Sequence, residues 1–310
     1  MTNNKDFGTV ITAMVTPFLD DKDNTVDLAG AINLANYLLK NGTDSLLLVG
    51  STGEAAQLSS REKQYIIKNV RQNTPKDTKI IVSTGDTNTN RVIEKSNDAF
   101  DIGADAVLIS VPEYIKPPQK DLYNHFSNVA KSVSGQPIFI YNIPARTGTE
   151  ILPATVAKLA YDNSNIIGIK QSVSDLDKVS EISINCPPSF QIYSGDDSLT
   201  LPMLSLGAKG VVSVASHLQG KMIKQMIESF YSNPKLAMQY HQTLYPLFKS
   251  LFTTTNPIPI KQALYDMSLI SSPCLRTLGT MTDTDKEKLR EALHKFELQK
   301  NTLLSKKLAR

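Results

Sequence analysis

The chain has 310 residues, 41% apolar and 20% charged, and its 33 basic and 30 acidic side chains give a formal charge of +3. That balance excludes a disordered or collagen-like chain and supplies no field strong enough to mark a nucleic-acid binder, while the length fits one α/β barrel with a short extension. No apolar run reaches the roughly 18 residues of a bilayer span, and "MTNNKDFGTV" lacks the apolar stretch of a signal peptide, so a cytoplasmic protein touching neither membrane nor nucleic acid is expected.

Taken in chain order, β-rich apolar runs alternate with segments whose apolar residues recur at helical spacing. Strands are expected at 10–15, 45–49, 80–83, 106–110, 138–141, 166–170, 191–194 and 211–214. Helices are expected at 28–40, 61–71, 91–102, 122–133, 155–160, 176–183, 199–206 and 222–231. Ser59 reads as an N-cap, and "NGTD", "DIGAD" and "SLGAKG" read as glycine stops. Eight such units predict a TIM (β/α)8 barrel over residues 1–232, because parallel strands need crossovers and eight of them close a sheet. A doubly wound sheet is the alternative, but no G-x-G-x-x-G follows the first strand.

Beyond 232–234 the pattern is purely helical, with segments at 235–252, 260–267 and 283–303, so residues 233–310 are read as a helical extension without a core of its own. Its basic tail, "KNTLLSKKLAR", reads as a solvated helix end. Cys186 and Cys274 lie far apart and are expected to be free thiols, buried or half-buried. The four histidines stand alone without metal-ligand spacing, so neither a metal nor a cofactor is expected.

In a barrel, reacting groups gather where the βα loops converge at the C-terminal ends of the strands. Lys170 ends the apolar run "NIIGIK". A surface lysine is the bland reading, yet the apolar approach favours a drier site, where an amine of ordinary pKa about 10.4 can fall toward ~7–8 and attack a carbonyl to form a Schiff base. Tyr141 closes the fifth strand in "IFIYNIPARTG" and could relay protons, or simply be a half-buried barrel aromatic. Arg146 offers a planar fork for a carboxylate, although a lone loop arginine is more often solvated. In "GSTGEA", Ser51, Thr52 and the backbone N–H groups of a tight turn could hold an anion, while Glu54 could tie the loop together.

These loops together, with "GTVITAMVTPF", "GSTGEAAQLSSREK", "YIKPPQKDLYNHF", "YNIPARTG", "GIK", "SGDD", "GAKGVVSV" and "NPIPIK", resemble the pyruvate-dependent class I lyase family that contains dihydrodipicolinate synthase and N-acetylneuraminate lyase. The resemblance spans nearly the whole chain. It implies an imine between Lys170 and pyruvate, a proton relay of Tyr141 and Thr52, and a grip on pyruvate from Ser51, Thr52 and Val212. It further implies that Tyr114 completes the relay of a neighbouring subunit across a tight dimer, commonly paired into a tetramer. Arg146, in "P-x-R-T-G", implies binding of the carboxylate of aspartate semialdehyde. The implied reaction is condensation of pyruvate with L-aspartate 4-semialdehyde to 4-hydroxy-tetrahydrodipicolinate, in diaminopimelate and lysine biosynthesis. An N-acetylneuraminate lyase or keto-deoxy sugar acid aldolase on the same scaffold is the alternative.

Three stretches depart from the family pattern: "GST" for "GTT", "VPEYIKP" for "PYYNKP" and "KQSVSD" for "KEATGD". Where lysine-inhibited members carry a histidine, an acidic residue and a tyrosine, this chain has Ser60 and Lys63, then Arg91, then Glu113. Inhibition by lysine is therefore not expected.

Overall fold

The computed structural model describes residues 6–308; "MTNNK" and the last two residues of the basic tail lie outside the described residues. The elements run β1 (Val10–Ala13), α1 (Leu28–Lys40), β2 (Ser45–Leu48), α2 (Ser60–Asn73), β3 (Lys79–Ser83), α3 (Thr89–Asp101) and β4 (Ala106–Ser110). Then follow α4 (Gln119–Ser132), β5 (Ile138–Asn142), α5 (Pro144–Thr147), α6 (Pro153–Asp162), β6 (Ile166–Gln171), α7 (Leu176–Asn185) and β7 (Gln191–Ser194). The chain ends with α8 (Thr200–Leu204), β8 (Gly210–Ser213), α9 (Ser216–Ser232), α10 (Pro234–Ser250), α11 (Ile258–Asp266) and α12 (Asp283–Leu308).

The eight strands pair in parallel in sequence order, and β1 closes on β8. This is the expected TIM barrel. Each strand is buried on both faces, which is why the strands read as near-continuous apolar runs rather than alternating ones. Ile11, Leu47, Leu108, Phe139, Tyr193 and Val212 fill the interior. Val10, Leu46, Ile109, Ile140, Ile192 and Val211 face the helices. Period-2 alternation divides the two layers.

Three helices differ from the sequence reading. The 199–206 segment shrinks to a 3-10 turn at Asp197–Leu199 and the five-residue α8, because Pro202 lies inside it and Gly207 turns the chain with φ +94°. Helix α9 begins at Ser216, six residues before the expected start, and Gln219 breaks it (φ −136°), so the apolar spacing appears only beyond the kink. The "PART" loop forms α5, with Pro144 opening it and Gly148 capping it at φ +70°. Ser59 caps α2 as expected, in a reciprocal capping box with Glu62.

In the extension, α10 packs on α9, and α12 packs on α10 and α11. Cys186 is buried, Cys274 is half-buried, and both are free. Among the described residues no helix is long and apolar enough to cross a membrane.

Candidate active site

Lys170 and Tyr141 stand directly opposite each other at the C-terminal ends of β6 and β5. Both are buried, with Lys170 only 7% exposed. The Lys170 Nζ lies 4.2 Å from the centroid of the Tyr141 ring. An amine held in a pocket wall at van der Waals range of a phenol is placed for carbonyl chemistry with a proton donor nearby.

One pocket at the barrel mouth brings together Ser51, Thr52, Tyr141, Arg146, Lys170 and Val212. Val212 projects inward from β8 beside Ile11 of β1. Thr52 is buried in the turn after β2, and that turn closes through Glu54 N–H to the Ser51 carbonyl (3.1 Å) and Ala55 N–H to the Gly50 carbonyl (3.1 Å). Arg146 is exposed at the rim, and its Nη2 donates to the Asn256 carbonyl at 3.3 Å.

Tyr114 does not line this pocket. It is 90% exposed, on left-handed backbone (φ +68°), with its N–H donating to the Thr147 carbonyl at 3.1 Å. A non-glycine residue in that region is uncommon and needs support from its surroundings.

The sequence reading assigned no site role to two residues of the extension that line the pocket, Phe252 and Asn256. Asn256 is buried and donates through Nδ2 to the Thr52 hydroxyl at 2.9 Å, while its Oδ1 has no partner. Five residues on, the ammonium of Lys261 meets Glu54 at 2.8 Å, donates to the Cys274 carbonyl at 2.6 Å and lies 4.1 Å from the Phe18 ring centroid. Burial holds Lys261 below the ordinary lysine value, with Glu54 opposing that shift. Glu54 does tie its loop, though to a helix far along the chain. The motif "NPIPIK" held both residues, but its polar side chains gave no sign of their partners.

Behind the mouth, Asp197 is fully buried and accepts from the Ser213 hydroxyl and from the N–H groups of Val214 (3.1 Å) and Ala215 (3.0 Å). Burial pushes its carboxyl up to about 6 against those donors. His217 bridges the same corner: the Val15 N–H donates to Nε2 at 3.2 Å, and Nδ1 donates to the Val214 carbonyl at 2.8 Å. Burial pulls this imidazole down to about 4, in keeping with the neutral ring that its two contacts require.

A wider cavity continues from the mouth past Lys63, Asp86, Arg91, Lys95 and Glu113. Asp86 is paired to Arg91 (2.8 Å) and Lys95 (2.6 Å). Lys63, held below its ordinary value by burial and by Lys95, adds a third cation. Among the described residues, no group of three or more His, Cys, Asp or Glu could hold a metal ion.

The dihydrodipicolinate synthetase family model matches residues 6–296. The 4-hydroxy-tetrahydrodipicolinate synthase of Prochlorococcus marinus (strain AS9601) is 50% identical over 263 residues, covering 84% of this chain and 87% of that protein. The solved dihydrodipicolinate synthase of Cyanidioschyzon merolae, with lysine bound, superposes with a TM-score of 0.91 at 38% identity, covering 94% of this chain and 99% of that one. A monomeric dihydrodipicolinate synthase variant superposes with a TM-score of 0.90 at 33% identity, covering 94% of this chain and 97% of that one.

Proposed function

The chain belongs to the dihydrodipicolinate synthetase family, and on that footing we propose that it is a lyase condensing pyruvate with L-aspartate 4-semialdehyde to 4-hydroxy-tetrahydrodipicolinate, in diaminopimelate and lysine biosynthesis. The observation that carries the reading is Lys170 beside Tyr141, in one pocket with a hydroxyl pair and a carboxylate-sized arginine.

The Lys170 amine adds to the pyruvate carbonyl, and the carbinolamine loses water to give an imine. Loss of a methyl proton from the imine leaves an enamine, whose carbon attacks the aldehyde; the aldehyde oxygen takes up a proton and becomes the product hydroxyl. The amine of the semialdehyde then attacks the imine carbon, closes the ring and displaces Lys170. One water leaves per turnover and the lysine is regenerated. Tyr141 and Thr52 move the protons, Ser51 and Thr52 hold the pyruvate carboxylate, Val212 packs against its methyl group, and Arg146 receives the carboxylate of the semialdehyde.

The catalytic barrel is read within residues 1–232, and the helical extension within 233–310 works with it through Asn256 and Lys261, whose contacts with Thr52 and Glu54 support that division. A tight dimer, paired into a tetramer, lets Tyr114 complete the relay of the neighbouring subunit. Its exposure and its place outside its own pocket support that role. Sedimentation velocity is expected to show a dimer or larger, and a monomer would remove Tyr114 from the relay. Two free thiols accord with a cytoplasmic location.

The deciding experiment compares turnover of pyruvate with aspartate semialdehyde against turnover with N-acetylmannosamine. Preference for the sugar would overturn the reading. Arg146→Ala is expected to raise the semialdehyde KM while leaving imine formation with pyruvate intact; equal loss in both would make Arg146 structural.

A further inference from the structure

We propose that a one-residue bulge in β6, at Ile167 and Gly168, is what turns Lys170 into the barrel, and that Gly168 is a positioning residue for it. The inference rests on the reading of Lys170 as the imine-forming amine. Along β5 and β6 the partners run Ile138 to Ile166, then Phe139 to Gly168, Ile140 to Ile169 and Tyr141 to Lys170. Strand β6 therefore carries one residue more than its neighbour over the same length.

That surplus decides which way the lysine faces. Ile166 packs outward against the helices. Strict alternation from there would also send residues 168 and 170 outward and bring Ile169 inside. Instead Ile167 packs in the interior, Ile169 packs among the helices, and Lys170 lines the pocket. Two successive residues face the same way at the bulge, and everything beyond it is shifted in phase by one. On β7 the pairing is regular, with Lys170 opposite the inward-facing Tyr193. Bulges re-aim side chains next to active sites, and they are rare between parallel strands.

Gly168 is what lets the bulge fit. A Cβ there would lie 2.3 Å from the Gln191 carbonyl oxygen and 2.8 Å from Cε1 of Phe139. The first is backbone of the paired strand. The second belongs to a ring held edge-on against Phe7 (5.2 Å between centroids) and Tyr193 (5.9 Å). Neither yields without moving the sheet, so any side chain at 168 works against the register that aims Lys170.

The test traps the pyruvate imine with borohydride and reads rate and position by intact mass and peptide mapping. Three proteins are compared: the parent, Gly168→Ala, and a deletion of Ile167, each with its melting curve. In an ordinary strand, deleting one residue reverses every side chain beyond it. Here the deletion removes only the surplus, so labelling of Lys170 is expected to persist near the parent rate. Gly168→Ala, although a far smaller change, is expected to slow labelling about 100-fold, the usual effect of an ångström-scale displacement.

Parent-rate labelling of Gly168→Ala, or a folded deletion that does not label, would overturn the proposal. Absence of adduct in the parent would overturn the imine reading instead. Should either variant fail to fold, cysteines placed one at a time in a Cys186→Ser, Cys274→Ser background report the phase: Lys170→Cys is expected to react with a small thiol reagent through the pocket, and Ile169→Cys is not. The reverse order would overturn the proposal.

Discussion

Asn256, from the helical extension, donates to the hydroxyl of Thr52 in the loop after β2, across 204 residues of chain. The contact occupies the Thr52 oxygen as an acceptor and leaves its proton free to point at substrate or at Tyr141. Asn256→Ala removes that constraint and one hydrogen bond, typically worth about 1 kcal/mol. A roughly tenfold slower imine formation, with a melting curve close to the parent's, is expected. An unchanged rate would separate the extension from the chemistry.

The Lys261 and Glu54 pair beneath this contact is buried on both sides, with relative exposures of 0% and 4%. Breaking one member of such a pair leaves an uncompensated charge and costs about 3–5 kcal/mol. Lys261→Met should therefore lower the urea midpoint strongly, and adding Glu54→Gln should recover part of the loss. No recovery in the double variant would mean that Lys261 acts mainly through the Cys274 carbonyl and the Phe18 ring.

His217 predicts an acid limb to stability. Its pKa falls from 6.5 to about 4 on folding, so the native state binds fewer protons than the unfolded one between those values. Its contribution is complete above 6.5 and is lost as pH falls toward 4, on the order of 3 kcal/mol. His125, which burial also pulls down to about 4, acts in the same sense. Asp197, raised from 3.8 to about 6, opposes them, because the folded state holds its proton more tightly and that contribution fades as pH rises through 6. Two imidazoles outweigh one carboxyl. Urea midpoints should drop between pH 7 and 5, and His217→Gln should flatten the slope.

Free lysine is expected not to slow the enzyme. The cavity beyond the mouth already holds Lys63, Arg91 and Lys95 against Asp86 and Glu113, so an added ammonium meets like charge. Initial rates at saturating lysine should match those without it. A clear fall would show that the cavity accommodates a cation despite its charge.

The barrel was legible because strands buried on both faces write themselves as apolar runs, and all eight occur where "VITAMV", "SLLLV" and the later runs stand. The candidate site was legible where it lies at or just after the strand ends: Lys170, Tyr141, Ser51, Thr52, Arg146 and Val212 line one pocket. What stayed hidden is long-range or irregular. Asn256 and Lys261 sit in a motif whose partners at the barrel mouth, Thr52 and Glu54, lie more than 200 residues away. The bulge that aims Lys170 is a matter of register, which "NIIGIK" cannot display, since either phase presents an apolar face. Tyr114, whose expected partner is another subunit, has no place in the pocket of its own chain.

The proposed condensation requires Lys170 to be the amine that captures pyruvate. Borohydride reduction in the presence of pyruvate, read by intact mass and peptide mapping, tests it most directly. One reduced pyruvate per chain, located on Lys170 and absent from Lys170→Ala, is the predicted result. A folded, active enzyme that acquires no adduct, or acquires it on another lysine, would remove Lys170 from the chemistry.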